Sequence, residues 1–202
     1  QFVVSGQWPR EQTLSEPVEY GAGDGLATSF DDDAGPLTSA STRWTQRSPN
    51  DVWPTTRADQ AIAYDAVRGV TVMFGGQKVA WWGSETEVFQ DTWEFGVSGW
   101  VQRFPVGVLP RERAGHAMVY DPIRGVTVLF GGMDLLSAEE VEEAGGEVAK
   151  SWMNDLWEWD GEQWTKRPPL DSAMPSPRAW HDMAFDTRRG VIVLFGGYDA
   201  QT

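Results

Sequence analysis

The chain of 202 residues has no cysteine. Disulfides, thiolate nucleophiles and cysteine-ligated zinc are therefore excluded within it. This leaves the compartment open, with an extracellular or cell-surface setting slightly favoured. Basic residues are scarce, 16 Lys and Arg against 30 Asp and Glu, for a net charge of −14. Nucleic acid is not an expected partner, because phosphate binding needs clustered Lys and Arg. No apolar run approaches the ~18 residues that span a bilayer as a helix, so membrane insertion is not expected. Gln1 is followed by no basic-then-apolar leader. Either a leader was removed or the true start lies upstream. No HExxH, phosphate loop or Ser–His–Asp order occurs, and "GAGDG" (21–25) lacks the strand–helix setting of a dinucleotide motif. "DDD" (31–33) with Asp24 lacks the spacing of a calcium loop and reads as a solvated acidic segment. No metal and no cofactor is expected.

What the chain does have is glycine, tryptophan and repetition. There are 22 Gly and 12 Trp. "YDAVRGVTVMFGG" (64–76) returns as "YDPIRGVTVLFGG" (120–132) and "FDTRRGVIVLFGG" (185–197). Arg57, Arg113 and Arg178 open the three copies, 56 and 65 residues apart. A second block, "DTWEFGVSGWVQRFP" (91–105), returns as "NDLWEWDGEQWTKRPP" (154–169), and "RWTQRSP" (43–49) echoes its end. Fixed-period similarity signals a repeat architecture in which each unit buries its face only against neighbours.

Each unit reads as four short strands. In the middle copy, strand a is 117–120, a tight turn with Gly125 follows, and strand b is the apolar run 126–130. Gly131 and Gly132 allow a bend or a close approach. Strand c is 156–159, "DG" marks a turn, and strand d is 163–167. Asp121 is placed to accept hydrogen bonds from the turn backbone.

The double glycines with downstream Trp93/Trp100 and Trp157/Trp164 resemble the kelch repeat, over about residues 43–197. That resemblance implies an all-β kelch-type propeller of four-stranded antiparallel blades. About three blades are expected, in an incomplete ring. Residues 57–105 and 113–168 would be blades and 178–197 half of one. Residues 1–47 would be strands b, c and d of a degenerate earlier blade, with "FVVSGQ" (2–7) as b and "LATSF" (26–30) as c. The remaining blades of a larger propeller are expected partners; the alternative is that two copies complete a ring of six.

Repetition separates scaffold from site within the one chain. Gly75, Gly76, Gly131, Gly132, Gly196, Gly197, Trp93, Trp100, Trp157 and Trp164 recur and are read as structural, the Trp residues as packing between blades. His116 and His181 share a register with Gln60, so a hydrogen-bonding structural role is expected rather than a catalytic base. The three arginines are read as ion-pair or carbonyl contacts. The resemblance also puts them near the d–a loops, which keeps Arg113 and Arg178 among the candidate binding residues. Unique residues fill the b–c connections 77–90 and 133–153 and the d–a segments 107–113 and 171–180. They contribute Trp81, Trp82, Asp134 and Trp180 to the candidate set. Ser137, Glu140 and Gly145 fit a short capped helix in the second connection.

A propeller places b–c and d–a loops at one end, so a binding module for a protein or carbohydrate ligand is the expected function. The alternative is a sugar-active enzyme of kelch-propeller type, oxidase-like, or an isomerase or lyase using acids such as Asp134 or Glu85. Oxidase chemistry with a Cys–Tyr crosslink is excluded by the absence of Cys. A purely structural module of a larger surface protein is the third reading.

Overall fold

In the computed structural model, residues 3–4, 28–30, 44–46, 51–78, 87–135, 150–168 and 174–199 are described. All regular structure among them is β. The short strands β1 (Val3–Val4), β2 (Thr28–Phe30) and β3 (Trp44–Gln46) come first. The first four-stranded sheet then takes β4 (Ala61–Asp65), β5 (Val70–Phe74), β8 (Thr92–Gly96) and β9 (Gly99–Arg103). Between β5 and β8 projects a ribbon of β6 (Gln77–Lys78) and β7 (Glu87–Val88). The second sheet repeats the order with β10 (Ala117–Asp121), β11 (Val126–Phe130), β14 (Leu156–Trp159) and β15 (Trp164–Arg167). Its ribbon is β12 (Met133–Leu135) with β13 (Lys150–Trp152). The third unit is the hairpin β16 (Arg178–Asp186) and β17 (Val191–Asp199).

Two features differ from the sequence expectation. The b–c connections do not leave the sheets as plain loops. Each begins as a paired ribbon, because the bend at the double glycine lets the chain continue pairing beyond the sheet. Among the described residues, the segment expected as an early strand b shows Val3–Val4, which pairs in parallel with β17, Val3 opposite Val193. β2 and β3 pair antiparallel, as a c–d hairpin would. The expected helix at 137–145, the "DDD" run and "GAGDG" lie outside the described residues.

The a–b turns are built identically three times. Asp65 Oδ1 accepts from the backbone N of Val67 and Arg68, both 3.0 Å. Asp121 does the same for Ile123 (2.9 Å) and Arg124 (3.1 Å), and Asp186 for Arg188 and Arg189 (both 3.0 Å). The guanidinium of Arg68 also binds Asp65 Oδ2 at 2.7 Å and reaches buried Glu94 on strand c. Arg103 meets Glu94 from strand d at 2.7 Å, and Arg124, Arg167 and Glu158 repeat that arrangement. Burial opposes ionisation of Glu94, but the Trp159 N–H and the Arg68 guanidinium hold its pKa below the usual carboxylate value.

Adjacent units share their cores. Val72 and Phe74 of the first sheet pack with Met118, Leu129, Trp157, Trp159 and Trp164 of the second. Val128 and Phe130 of the second pack with Met183, Ile192 and Leu194 of the third. Trp159 donates to Glu94 Oε1 at 3.0 Å and Trp164 to Thr92 Oγ1 at 2.9 Å, so each ring crosses the boundary with its polar end satisfied. Trp93 and Trp100 pack with Met73, on the side of the first sheet away from the second.

The double glycines stitch units together. Gly76 N donates to Arg113 O and Gly132 N to Arg178 O, both at 2.8 Å, so the carbonyl comes from the next unit. A Cβ on Gly131 would stand 2.7 Å from Arg178 O, and one on Gly75 2.6 Å from Arg113 O. Gly125 has nearly the same backbone as Gly131, φ 68° against 66°, yet open space where its Cβ would be. The pair separates strain from collision. Gly125→Ala should cost about 1 kcal/mol for the left-handed backbone alone. Gly131→Ala should cost at least about 2 kcal/mol more, from overpacking against the next unit. Urea denaturation of the two variants checks this, and equal losses would refute the collision.

Candidate functional site

In every unit the motif Arg-Ala-x leads into strand a, and x adopts left-handed backbone. The three residues are Asp59 (φ 55°), Gly115 (φ 66°) and Trp180 (φ 55°). They are joined in a chain, Gly115 N to Asp59 O at 2.8 Å and Trp180 N to Gly115 O at 2.7 Å. Beside each stands the residue after the double glycine, since Ala58, Ala114 and Ala179 pair with Gln77, Met133 and Tyr198. The repeat thus delivers three equivalent pairs side by side, and their side chains differ completely.

The first pair is polar, with Gln77 Nε2 donating to Asp59 Oδ2 at 2.7 Å. The second is flat, Gly115 with buried Met133. The third is aromatic, with Trp180 47% and Tyr198 55% exposed. Trp152, opposite Met133 on the second ribbon, completes a three-ring cluster. Its centroid is 6.0 Å from Trp180, edge-on at 76°, and 5.6 Å from Tyr198 at 43°. The Trp180 indole leans across Gly115, where a Cβ would lie 3.2 Å from Nε1. Gly and Asp tolerate left-handed backbone; Trp there carries strain of roughly 1–3 kcal/mol that the surrounding bonds must hold.

A polar rim follows, again at equivalent positions, one residue beyond Met133 and Tyr198. Arg111 Nε meets Asp134 Oδ2 at 2.8 Å, and Ser176 Oγ donates to Asp199 Oδ2 at 2.7 Å. Of the residues singled out from sequence, Trp180 lies in this cluster, and Asp134 follows Met133 on the second ribbon. Asp134 is buried beneath Arg111. Arg178 lies under the rim, donating to Gly196 O and to Ser176 Oγ at 2.8 and 2.7 Å. Arg113 is wholly buried, bound to Gly131 O at 2.9 Å and to both oxygens of Asp155 at 2.7 and 3.1 Å. Trp157 N–H reinforces that carboxylate at 2.6 Å. Burial pushes the Asp155 pKa up, but Arg113 outweighs it and keeps the group below the usual value. Trp81, Trp82 and Glu85 lie outside the described residues. Trp152 and Tyr198 were not singled out. Register with Gln77 and Met133 was enough to find Tyr198, whereas the place of Trp152 depends on a ribbon whose two strands are separated by 14 residues.

The histidines sit at unit boundaries. His116 lies edge-on to Phe74 at 5.7 Å and His181 edge-on to Phe130 at 5.5 Å. Among the described residues neither imidazole makes a side-chain hydrogen bond of regular geometry, though each faces the backbone of the same phenylalanine it packs on, so ring packing stands beside the expected hydrogen-bonding role. Burial, with the nearby Arg113 charge, lowers His116 to about 3; burial, with Arg178, lowers His181 to about 4. Both are neutral at physiological pH.

Comparison with known proteins gives a family match. The family model described as the KLHDC2/KLHL20/DRC7 Kelch-repeats domain matches residues 21–202. No curated protein matches the chain. Among solved structures, "Structure of YjhT" aligns with a TM-score of 0.59 at 20% identity, over 87% of this chain and 46% of that one. A cryo-EM structure of RAG in complex with one melted and one unmelted RSS aligns with a TM-score of 0.49 at 19% identity, over 69% and 44%. The chain thus spans less than half the length of either, and the first likeness bears on fold alone.

The histidines make a pH prediction. Their folded pKa values lie below the ordinary 6.5. Their contribution to stability is therefore complete above pH 6.5 and is lost as pH falls toward 4 and then 3. Each should cost up to about 1.4 kcal/mol per pH unit in that window. The lowered carboxylates add their loss from about pH 5 downward, so the difference between the wild type and the histidine double variant isolates the histidines. Denaturation between pH 4.5 and 7 should show this slope, and the double variant His116→Gln, His181→Gln should flatten it. An unchanged slope would refute the assignment.

Proposed function

The chain belongs to the kelch-repeat domain family, and from that premise we propose that this propeller scaffold binds a protein or glycan ligand through the face bearing the b–c and d–a connections. The observation that carries the reading is Trp180. A repeat that elsewhere uses Asp59 and Gly115 at a left-handed position places there a half-exposed indole, braced by Trp152 and Tyr198. Strain held at one unit only, on a large exposed ring, is expected of a contact residue. The buried Arg113–Asp155 and Arg57–Asp91 pairs supply the rigid support from below.

The same reading takes 57–105 and 113–168 as blades, 178–197 as half of one and 1–47 as strands of an earlier one. Exposure supports a neighbouring blade against β4. Ile62 and Tyr64 are each 59% exposed, whereas Met118 and Tyr120, in the same register of the second blade, are buried.

Trp180→Gly tests the binding face. Glycine takes the left-handed backbone without penalty, so the melting temperature should stay level or rise. Binding to whatever peptides or oligosaccharides the wild-type chain selects on arrays should fall at least tenfold, as for loss of an aromatic anchor worth roughly 2 kcal/mol. Array signals that persist in a folded Trp180→Gly variant would sink the proposal.

A further inference from the structure

We propose that the face centred on Trp180 accepts a lysine or arginine side chain of a peptide, with Asp59 as its counter-charge; this rests on the binding-face reading above and specifies its ligand. The inference comes from counting which polar groups of the face are already engaged. Three arginines of the face are occupied among the described residues. Arg57 is held by Asp91 and Gly75 O, Arg111 by Asp134, and Arg178 by Ser176 and Gly196 O. Lys78 follows Gln77 on β6, so its side chain leaves by the opposite side of the strand from the one that meets Asp59.

Other groups of the face can accept charge. Asp59 gives only Oδ2 to Gln77, and Oδ1 has no hydrogen bond among the described residues. Trp180 and Tyr198 present half-exposed ring surface, whose π face attracts cations. The two features are separated by one position, Gly115, which has no side chain to block the path between them. An oligosaccharide would stack on the rings but would also call on charged donors that this face has already committed. A guanidinium or ammonium needs only a carboxylate oxygen and a π face. The net charge of −14 favours its approach at a distance.

The test uses four acetylated, amidated pentapeptides, Gly-Gly-X-Gly-Gly with X as Arg, Lys, Gln or Glu, and cellohexaose, titrated against the whole chain by tryptophan fluorescence and NMR. The Arg and Lys peptides should bind at least tenfold more tightly than the Gln and Glu peptides, and should weaken as salt is raised. Asp59→Asn keeps the left-handed backbone and the Gln77 contact while removing the charge. It should weaken the Arg peptide at least fivefold, and Trp180→Gly should do so at least as strongly, both with unchanged melting. Arg-peptide binding that survives both variants would place the cation elsewhere on an acidic surface and overturn the proposal. Failure of every peptide to bind would overturn it as well. Cellohexaose binding that Trp180→Gly abolishes, without preference among the peptides, would overturn the cation assignment and leave the binding face standing. Array ligands unaffected by Trp180→Gly would remove the face itself.

Discussion

The structure depends on a buried guanidinium placed between two carbonyls and a carboxylate. Arg113 bridges the start of strand a, the bend after strand b and the start of strand c, through Arg111 O, Gly131 O and Asp155. Arg57 does the same with Thr55 O, Gly75 O and Asp91. A planar donor group with fixed directions can satisfy all of these at once, which a lysine cannot. The main-chain carbonyl of the same arginine closes onto the preceding unit's double glycine. One residue therefore sets the geometry inside a blade and the join between blades.

Because that join is made by backbone and by repeated side chains, the positions beside it are released from structural duty. The left-handed residue of each Arg-Ala-x motif lies along the chain of bonds linking Asp59, Gly115 and Trp180, beside the residue after each double glycine. They need only tolerate their backbone. Evenly repeated scaffold beneath and divergent side chains above is a sound basis for a recognition surface, since a rigid support limits the ordering cost of binding. The opposite end shows the converse: Asp65, Asp121 and Asp186 make the same turn three times, closed each time by a left-handed glycine, Gly69, Gly125 and Gly190.

The buried histidines belong to the scaffold in a different sense. Gln60 occupies their position in the first unit, so the site needs a side chain of moderate size and polarity rather than an imidazole in particular. Where histidine is present, its aromatic edge packs on the preceding blade, and the same burial makes it a liability in acid.

Strand order, turn positions and the structural glycines were legible in the amino-acid sequence, because three copies of one pattern expose what each position must do. "RGV" and "FGG" recur where a left-handed turn and a close backbone approach recur, and Trp157 and Trp164 return where a ring must fill the join. Tertiary structure alone decided that Asp134 is covered by Arg111, and that Trp152 reaches Trp180 and Tyr198. Those facts depend on contacts between units and across a ribbon with a long intervening segment. A periodic sequence specifies contacts that repeat, since each copy repeats the same local and neighbour interactions. The contacts that occur once follow only when the blades are set beside one another in space.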